Sequence, residues 1–99
     1  MEKGGCIYIV TNIHHSTLYL GVTSDLHSRI IEHKEKFFPK SFTARYNLHV
    51  LVYYELFHTI EEAIEREKQL KGGSRKAKEQ LINEFNPAWK DLFDVVKYW

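Results

Sequence analysis

Gly5-Cys6-Ile7-Tyr8-Ile9-Val10-Thr11, followed after a short gap by Thr17-Leu18-Tyr19-Leu20-Gly21-Val22, is the stretch that decides the fold. Both runs have the β-branched and aromatic content of strands. Asn12 to Ser16 between them is polar and turn-like, so the two runs form an antiparallel hairpin. Side chains alternate faces along a strand. Tyr8 therefore shares a face with Cys6 and Val10, and Tyr19 shares one with Thr17 and Gly21. Whether the two tyrosines share a face depends on the hairpin register, which the residues leave open.

Working outward, Thr23-Ser24 offers an N-cap for a helix from about Asp25 to Phe37, with Leu26, Ile30 and Phe37 on its buried side and Pro39 ending it. Arg29 and His33 are four apart and so are neighbours on one helical face. Residues 38 to 48 read as a basic and aromatic loop containing Lys40, Phe42, Arg45 and Tyr46. Val50 to Leu56 is a third strand and the most apolar, which predicts the central position in a sheet. Thr59 and Glu62 form a capping box that starts a helix running to Lys71, where Gly72-Gly73 stops it. Ser74 caps a further helix to Phe85, with Ala77, Leu81, Ile82 and Phe85 inward. Asn86-Pro87 breaks it, because the residue before a proline avoids helical geometry. The tail from Ala88 to Trp99 packs back on the domain with a short last helix.

Composition bounds the function. Ninety-nine residues make one small domain, expected over 1–99 with a single core. Hydrophobic residues at 43% and charged residues at 27% read as globular. One cysteine excludes an internal disulfide and fits a reducing, cytoplasmic location. No long apolar run follows Lys3, so neither a signal peptide nor a membrane span is expected. The formal charge of +1 means that any grip on nucleic acid comes from local clustering of cations.

Glu67 is the most telling single residue. The inner stripe of its helix reads Ile60, Ala63, Ile64, position 67, then Leu70 and Lys71. A carboxylate where a leucine belongs is costly without a cation to satisfy it. That cation is either a nearby lysine or arginine or a divalent metal, for which one carboxylate plus waters suffices. Arg29 is either a surface arginine or a two-pronged phosphate clamp. His33 is either a solvated histidine or a phosphate donor and acid–base group. Tyr8 and Tyr19 are by default strand tyrosines with buried rings, or else phenols that relay a proton from a metal-bound water.

Lys71, Arg75, Lys76 and Lys78 form the densest basic cluster, read as a phosphate-contacting edge or as a solvated helix face. Lys40, Phe42, Arg45 and Tyr46 suit contact with a single strand or a flipped base by charge plus stacking, or else make an ordinary loop. Cys6, His14 and His15 do not match the spacing of familiar zinc sites.

In order, these pieces resemble the GIY-YIG nuclease family, and the chain as a whole resembles its small single-domain branch. Cys6-Ile7-Tyr8 is similar to the first signature and Tyr19-Leu20-Gly21 to the second, with Cys6 in place of glycine and Leu20 in place of isoleucine. Thr23-Ser24-Asp25-Leu26 leading to Arg29 and His33 resembles the catalytic-arginine helix, and Glu67 the metal-binding glutamate. Asn86-Pro87-x-Trp89-x-x-Leu92 is similar to the closing motif of the small branch. The resemblance implies an α+β fold, a three-stranded antiparallel sheet flanked by helices. It implies a metal-dependent endonuclease that hydrolyses DNA phosphodiester bonds, on branched or damaged DNA or in repair, with DNA a better expectation than RNA. By the same resemblance Tyr8 helps activate water and Arg29 holds the scissile phosphate. Glu67 holds Mg2+ or Mn2+, and Tyr19 and His33 assist. Members that cleave specific targets usually append a DNA-binding domain, so a protein partner that supplies targeting is expected here. The alternative is a non-catalytic nucleic-acid-binding module that keeps the phosphate site.

Overall fold

Strand β1 (Gly5–Thr11) runs between β2 (Leu18–Thr23) and β3 (Val50–Phe57) in an antiparallel sheet of order β2-β1-β3. The structure is a computed structural model and describes residues 4–99; Lys3 lies outside them. Helix α1 (Leu26–Lys34) and the one-turn helix α2 (Phe42–Arg45) fall between β2 and β3. Helices α3 (Ile60–Lys71), α4 (Arg75–Phe85) and α5 (Phe93–Val96) follow β3. The α+β architecture is the one the resemblance implied. No helix among the described residues is long and apolar enough to cross a membrane.

Helices cover both faces of the sheet, so two cores form. On one face Cys6, Tyr8 and Val10 pack with Leu26 and Ile30 of α1 and Val96 of α5. On the other, Ile7 and Ile9 pack with Ala63 and Leu70 of α3 and Ile82 of α4. This layering explains one error of the sequence reading. β3 is an edge strand, not the central one. It reads as continuously apolar because Leu51 faces one core while Val52 and Tyr53 belong to the other.

Helix α1 is shorter than expected. Asp25, not Thr23-Ser24, is its N-cap, and its side chain accepts from the Ser28 amide at 3.2 Å. The helix ends at Lys34 in a Schellman motif. Lys36 N–H donates to His33 O at 3.3 Å and Phe37 N–H to Glu32 O at 2.9 Å, with Lys36 left-handed at φ 52°. A lysine holds the place that glycine usually fills, so no sequence signal marked the stop. Phe37 is consequently exposed, not buried. The segment read as loop contains α2, capped by Ser41, whose side chain accepts from the Ala44 amide. In α4 only Ile82 is buried; Ala77 and Phe85 are exposed.

The capping box at Thr59 and Glu62 is present, and Ser74 caps α4. Asn86 closes α4 and is itself buried. Its side-chain amide donates to Val52 O at 3.1 Å and to Lys90 O at 2.9 Å, which ties the tail to β3.

Candidate active site

The hairpin register answers the question the sequence left open. Tyr8 pairs with Gly21, and Val10 with Tyr19. Both phenols therefore stand on the α1 face, their ring centroids 6.5 Å apart. Gly21 is needed for this. A Cβ at that position would lie 2.4 Å from the Tyr8 Cζ and hydroxyl oxygen. Tyr8 is fully buried and Tyr19 only partly.

The α1 periodicity brings Arg29 and His33 onto the same spot. His33 Nε2 lies 2.9 Å from the Tyr8 hydroxyl, and His33 Nδ1 lies 2.9 Å from Thr43 Oγ1. The nearby Arg29 guanidinium offers donors only. Tyr8 O–H therefore donates to Nε2, which places the ring proton on Nδ1, donating to Thr43. Thr43 in turn lies 3.3 Å from Ser41 Oγ. Burial pushes the Tyr8 hydroxyl up to about 12, against a hydrogen bond from Arg29 and the pull of its charge. Burial pulls His33 down to about 4, the Arg29 charge adds to this, and Glu32 opposes it. The imidazole is thus neutral at neutral pH.

Arg29 donates through Nη1 to Glu32 at 3.4 Å. Its Nε is buried and has no hydrogen-bond partner among the described residues. An orphaned guanidinium donor is costly, and an anion in the adjoining cavity would satisfy it once the side chain shifted to expose this nitrogen. A cavity of about 320 Å³ opens here. It is lined by Tyr19, Arg29, Glu32, His33, Lys36, Phe38 and residues 41–44.

Glu67 is not part of that lining. It stands on α3, in the layer on the opposite face of the sheet, and its side chain is 15% exposed. Arg66 pairs with Glu55 of β3 at 3.1 Å, so that flank of α3 faces β3. Glu67 lies about 100° further round the helix, off the flank that faces β3. Its ionic partner is Lys71 at 3.5 Å, a side chain that is itself mostly exposed. No group of three metal-ligating side chains occurs among the described residues.

The expected basic edge is largely engaged within the protein. Arg75 donates to the carbonyls of Ser16 at 2.7 Å and His15 at 2.9 Å, clasping the β1–β2 turn. Lys78 donates to Gly73 O at 3.1 Å, and Lys71 pairs with Glu67. Of the four, Lys76 alone has no polar partner among the described residues. Thr43, Ser41 and Lys36 were missed by sequence reasoning. Ser41 three residues before an alanine amide carries a capping signal, but nothing local says that the next threonine meets His33.

The chain matches the GIY-YIG catalytic domain over residues 4–83. A UPF0213 protein of Staphylococcus saprophyticus subsp. saprophyticus is 40% identical over 78 residues, covering 79% of this chain and 93% of that protein. A UPF0213 protein of Bacillus pumilus is 34% identical over 84 residues, covering 85% of each. One of Staphylococcus aureus is 35% identical over 78 residues, covering 79% and 93%. No solved structure matches significantly.

Proposed function

The chain belongs to the GIY-YIG family, a family of nucleases, and from that premise we propose that it is a metal-dependent endonuclease that hydrolyses DNA phosphodiester bonds. The observation that carries this reading is the buried, partnerless Nε of Arg29 at the edge of a cavity beside the Tyr8–His33 pair. A phosphate oxygen is the acceptor that such a donor lacks, and a guanidinium binds phosphate through two parallel bonds. A chain of net charge +1, whose Lys71-to-Lys78 cluster is largely engaged within the protein, suits branched or damaged DNA, as met in repair, with targeting supplied by a partner in the cytoplasm.

Each residue of the site then has a task. Arg29 holds the scissile phosphate and neutralises charge that grows on it in the transition state. Tyr19, which lines the cavity, orients the phosphate or the attacking water. The phosphate offsets the Arg29 charge, so His33 becomes a better base when substrate is seated. The proton of the attacking water enters at the Tyr8 oxygen as the Tyr8 proton moves to His33 Nε2. This step requires the seated substrate to open a path to the sealed Tyr8 hydroxyl. Thr43 acts through His33, keeping Nε2 free to accept.

Glu67 fits a Mg2+ or Mn2+ ion. It is one half-buried carboxylate with a weak lysine partner, and magnesium is commonly held by one or two carboxylates with water and substrate phosphate. A divalent ion there would supply charge neutralisation and a more acidic water, from a carboxylate that stands outside the cavity holding Arg29. Arg29, Lys71, Arg75, Lys76 and Lys78 are the proposed phosphate contacts, with Arg75 the least available because it clasps the hairpin.

A second reading, a binding module that does not cleave, draws on the position of Glu67 outside the cavity. Incubating the purified protein with plasmid, nicked, flap, four-way-junction and single-stranded DNA separates the two, with Mg2+, Mn2+ or EDTA. The nuclease reading expects metal-dependent products on at least one substrate. Binding without product under every condition would favour the module.

A further inference from the structure

Residues 36 to 48 carry Lys36, Lys40 and Arg45 and no carboxylate. The chain has 14 cations against 13 acids, so the remainder outside this segment is net acidic. The same segment exposes four large rings: Phe37 is 65% exposed, Phe38 50%, Phe42 48% and Tyr46 48%. Each ring left half in water forgoes part of the stabilisation that burial would give. Four within ten residues, interleaved with cations, is not the composition of a solvated loop.

The rings also form a path. Tyr8 meets Tyr19 at 6.5 Å between centroids, and Tyr19 meets Phe42 at 6.2 Å. Phe42 meets Tyr46 at 4.7 Å, and the Arg45 guanidinium lies 6.0 Å from the Tyr46 ring. Phe38 and Phe42 line the cavity that also holds Arg29. The buried Tyr8 thus leads outward through the partly buried Tyr19, one aromatic contact at a time, to an exposed and positively charged rim.

Resting on the nuclease reading, we propose that this rim binds single-stranded nucleic acid, with unstacked bases seated on Phe42 and Tyr46 while the adjoining phosphate meets Arg29. Rings for bases and interleaved cations for the backbone are the two components of single-strand binding surfaces. In a duplex the base faces are covered by their neighbours, so the rings would have nothing to stack on. The substrate class is therefore a single strand, a flap or a frayed end. The absence of carboxylates from the segment favours a polyanion over an apolar protein surface as the occupant.

The test is fluorescence anisotropy in EDTA, so that no cleavage intervenes, with a labelled 12-nucleotide single strand and the matching duplex. A second single strand carries 2-aminopurine, whose emission is quenched on stacking. Wild type is expected to bind the single strand at least about tenfold more tightly than the duplex and to quench 2-aminopurine. Phe42→Ala and Tyr46→Ala each lose about tenfold on the single strand, lose the quenching, and change little on the duplex. Tyr46→Phe keeps both. Both positions are half-exposed, and circular dichroism confirms that the variants fold. Equal affinity for strand and duplex overturns the proposal, as does unchanged single-strand binding by both alanine variants. A wild-type dimer in sedimentation that Phe42→Ala disperses also overturns it, because a second copy would then cover the rings. Quenching without cleavage of any substrate would sink the nuclease reading while leaving the stacking surface standing.

Discussion

The hydroxyl of Tyr8 lies 2.9 Å from Nε2 of His33, sealed from solvent in a β-strand at the middle of the fold. A phenol raised to about 12 and an imidazole lowered to about 4 share one hydrogen bond. Both groups are neutral at neutral pH, so the pair holds one proton at a defined place with a ready acceptor next to it.

The His33 environment predicts acid sensitivity. Its folded value of about 4 is below the ordinary 6.5. Between those values the unfolded chain binds the proton and the folded chain does not. The contribution is therefore complete above about 6.5 and is lost as pH falls toward 4. Allowing for solvent screening of a half-buried ring, it amounts to about 1 kcal/mol. Urea melts at pH 7 and pH 4.5 should show a smaller stability loss for His33→Gln than for wild type. Equal losses would place the acid-sensitive group elsewhere.

Thr43 is predicted to set the His33 tautomer through the 2.9 Å contact at Nδ1. Thr43→Val keeps the shape and removes the hydroxyl, leaving a ring N–H without its acceptor. Cleavage should drop about tenfold, the scale of one lost proton-positioning contact. In nitrogen NMR the ring should no longer populate a single neutral tautomer. Thr43→Ser should restore both. A valine variant with a wild-type spectrum would reduce Thr43 to a packing residue.

Gly21 is expected to tolerate no side chain. In Gly21→Ala the new Cβ would start 2.4 Å from the Tyr8 ring and hydroxyl. Relief requires Tyr8 to move off His33. A stability loss of about 1–3 kcal/mol is expected, the range for overpacked cores. The His33 pKa should shift as well, since its hydrogen-bonded partner moves. Unchanged melting and an unchanged His33 titration would mean the ring has room that the geometry does not show.

Glu67 is predicted to link metal to stability. Mg2+ should raise the wild-type melting temperature, and Glu67→Gln should abolish that rise while leaving the metal-free fold intact. Only Lys71, 3.5 Å away and exposed, would lose an ionic partner. If Mg2+ never shifts the wild-type melt and the glutamine variant unfolds, Glu67 is a structural ion-pair residue.

Most of the fold was legible because each element carried its own punctuation. The capping box at Thr59 and Glu62, the serine at 74 and the break at Asn86-Pro87 are local signals, and each proved to be where its residues pointed. The errors arose where tertiary context decides. α1 stops on a lysine forced left-handed, and β3 lies at the edge although both its faces are covered. In the site, Arg29 and His33 were legible as helical neighbours, and Tyr8 and Tyr19 as strand phenols. The 6.5 Å pairing of the tyrosines needed the register, and Thr43 needed the fold. The basic cluster misled because a run of cations does not say which carbonyls it will meet, as Arg75 on the hairpin turn illustrates.

The most direct measurement compares wild type with Arg29→Lys in a metal-dependent cleavage assay, alongside DNA affinity measured in EDTA. Lysine keeps the charge and loses the planar fork and the Nε that stands without a partner. The expected result is a fall in cleavage of at least about tenfold with affinity changed little, because the guanidinium is needed most where charge grows on the phosphate. A lysine variant that cleaves as fast as wild type would contradict the phosphate clamp, and with it the placement of the active site at Arg29.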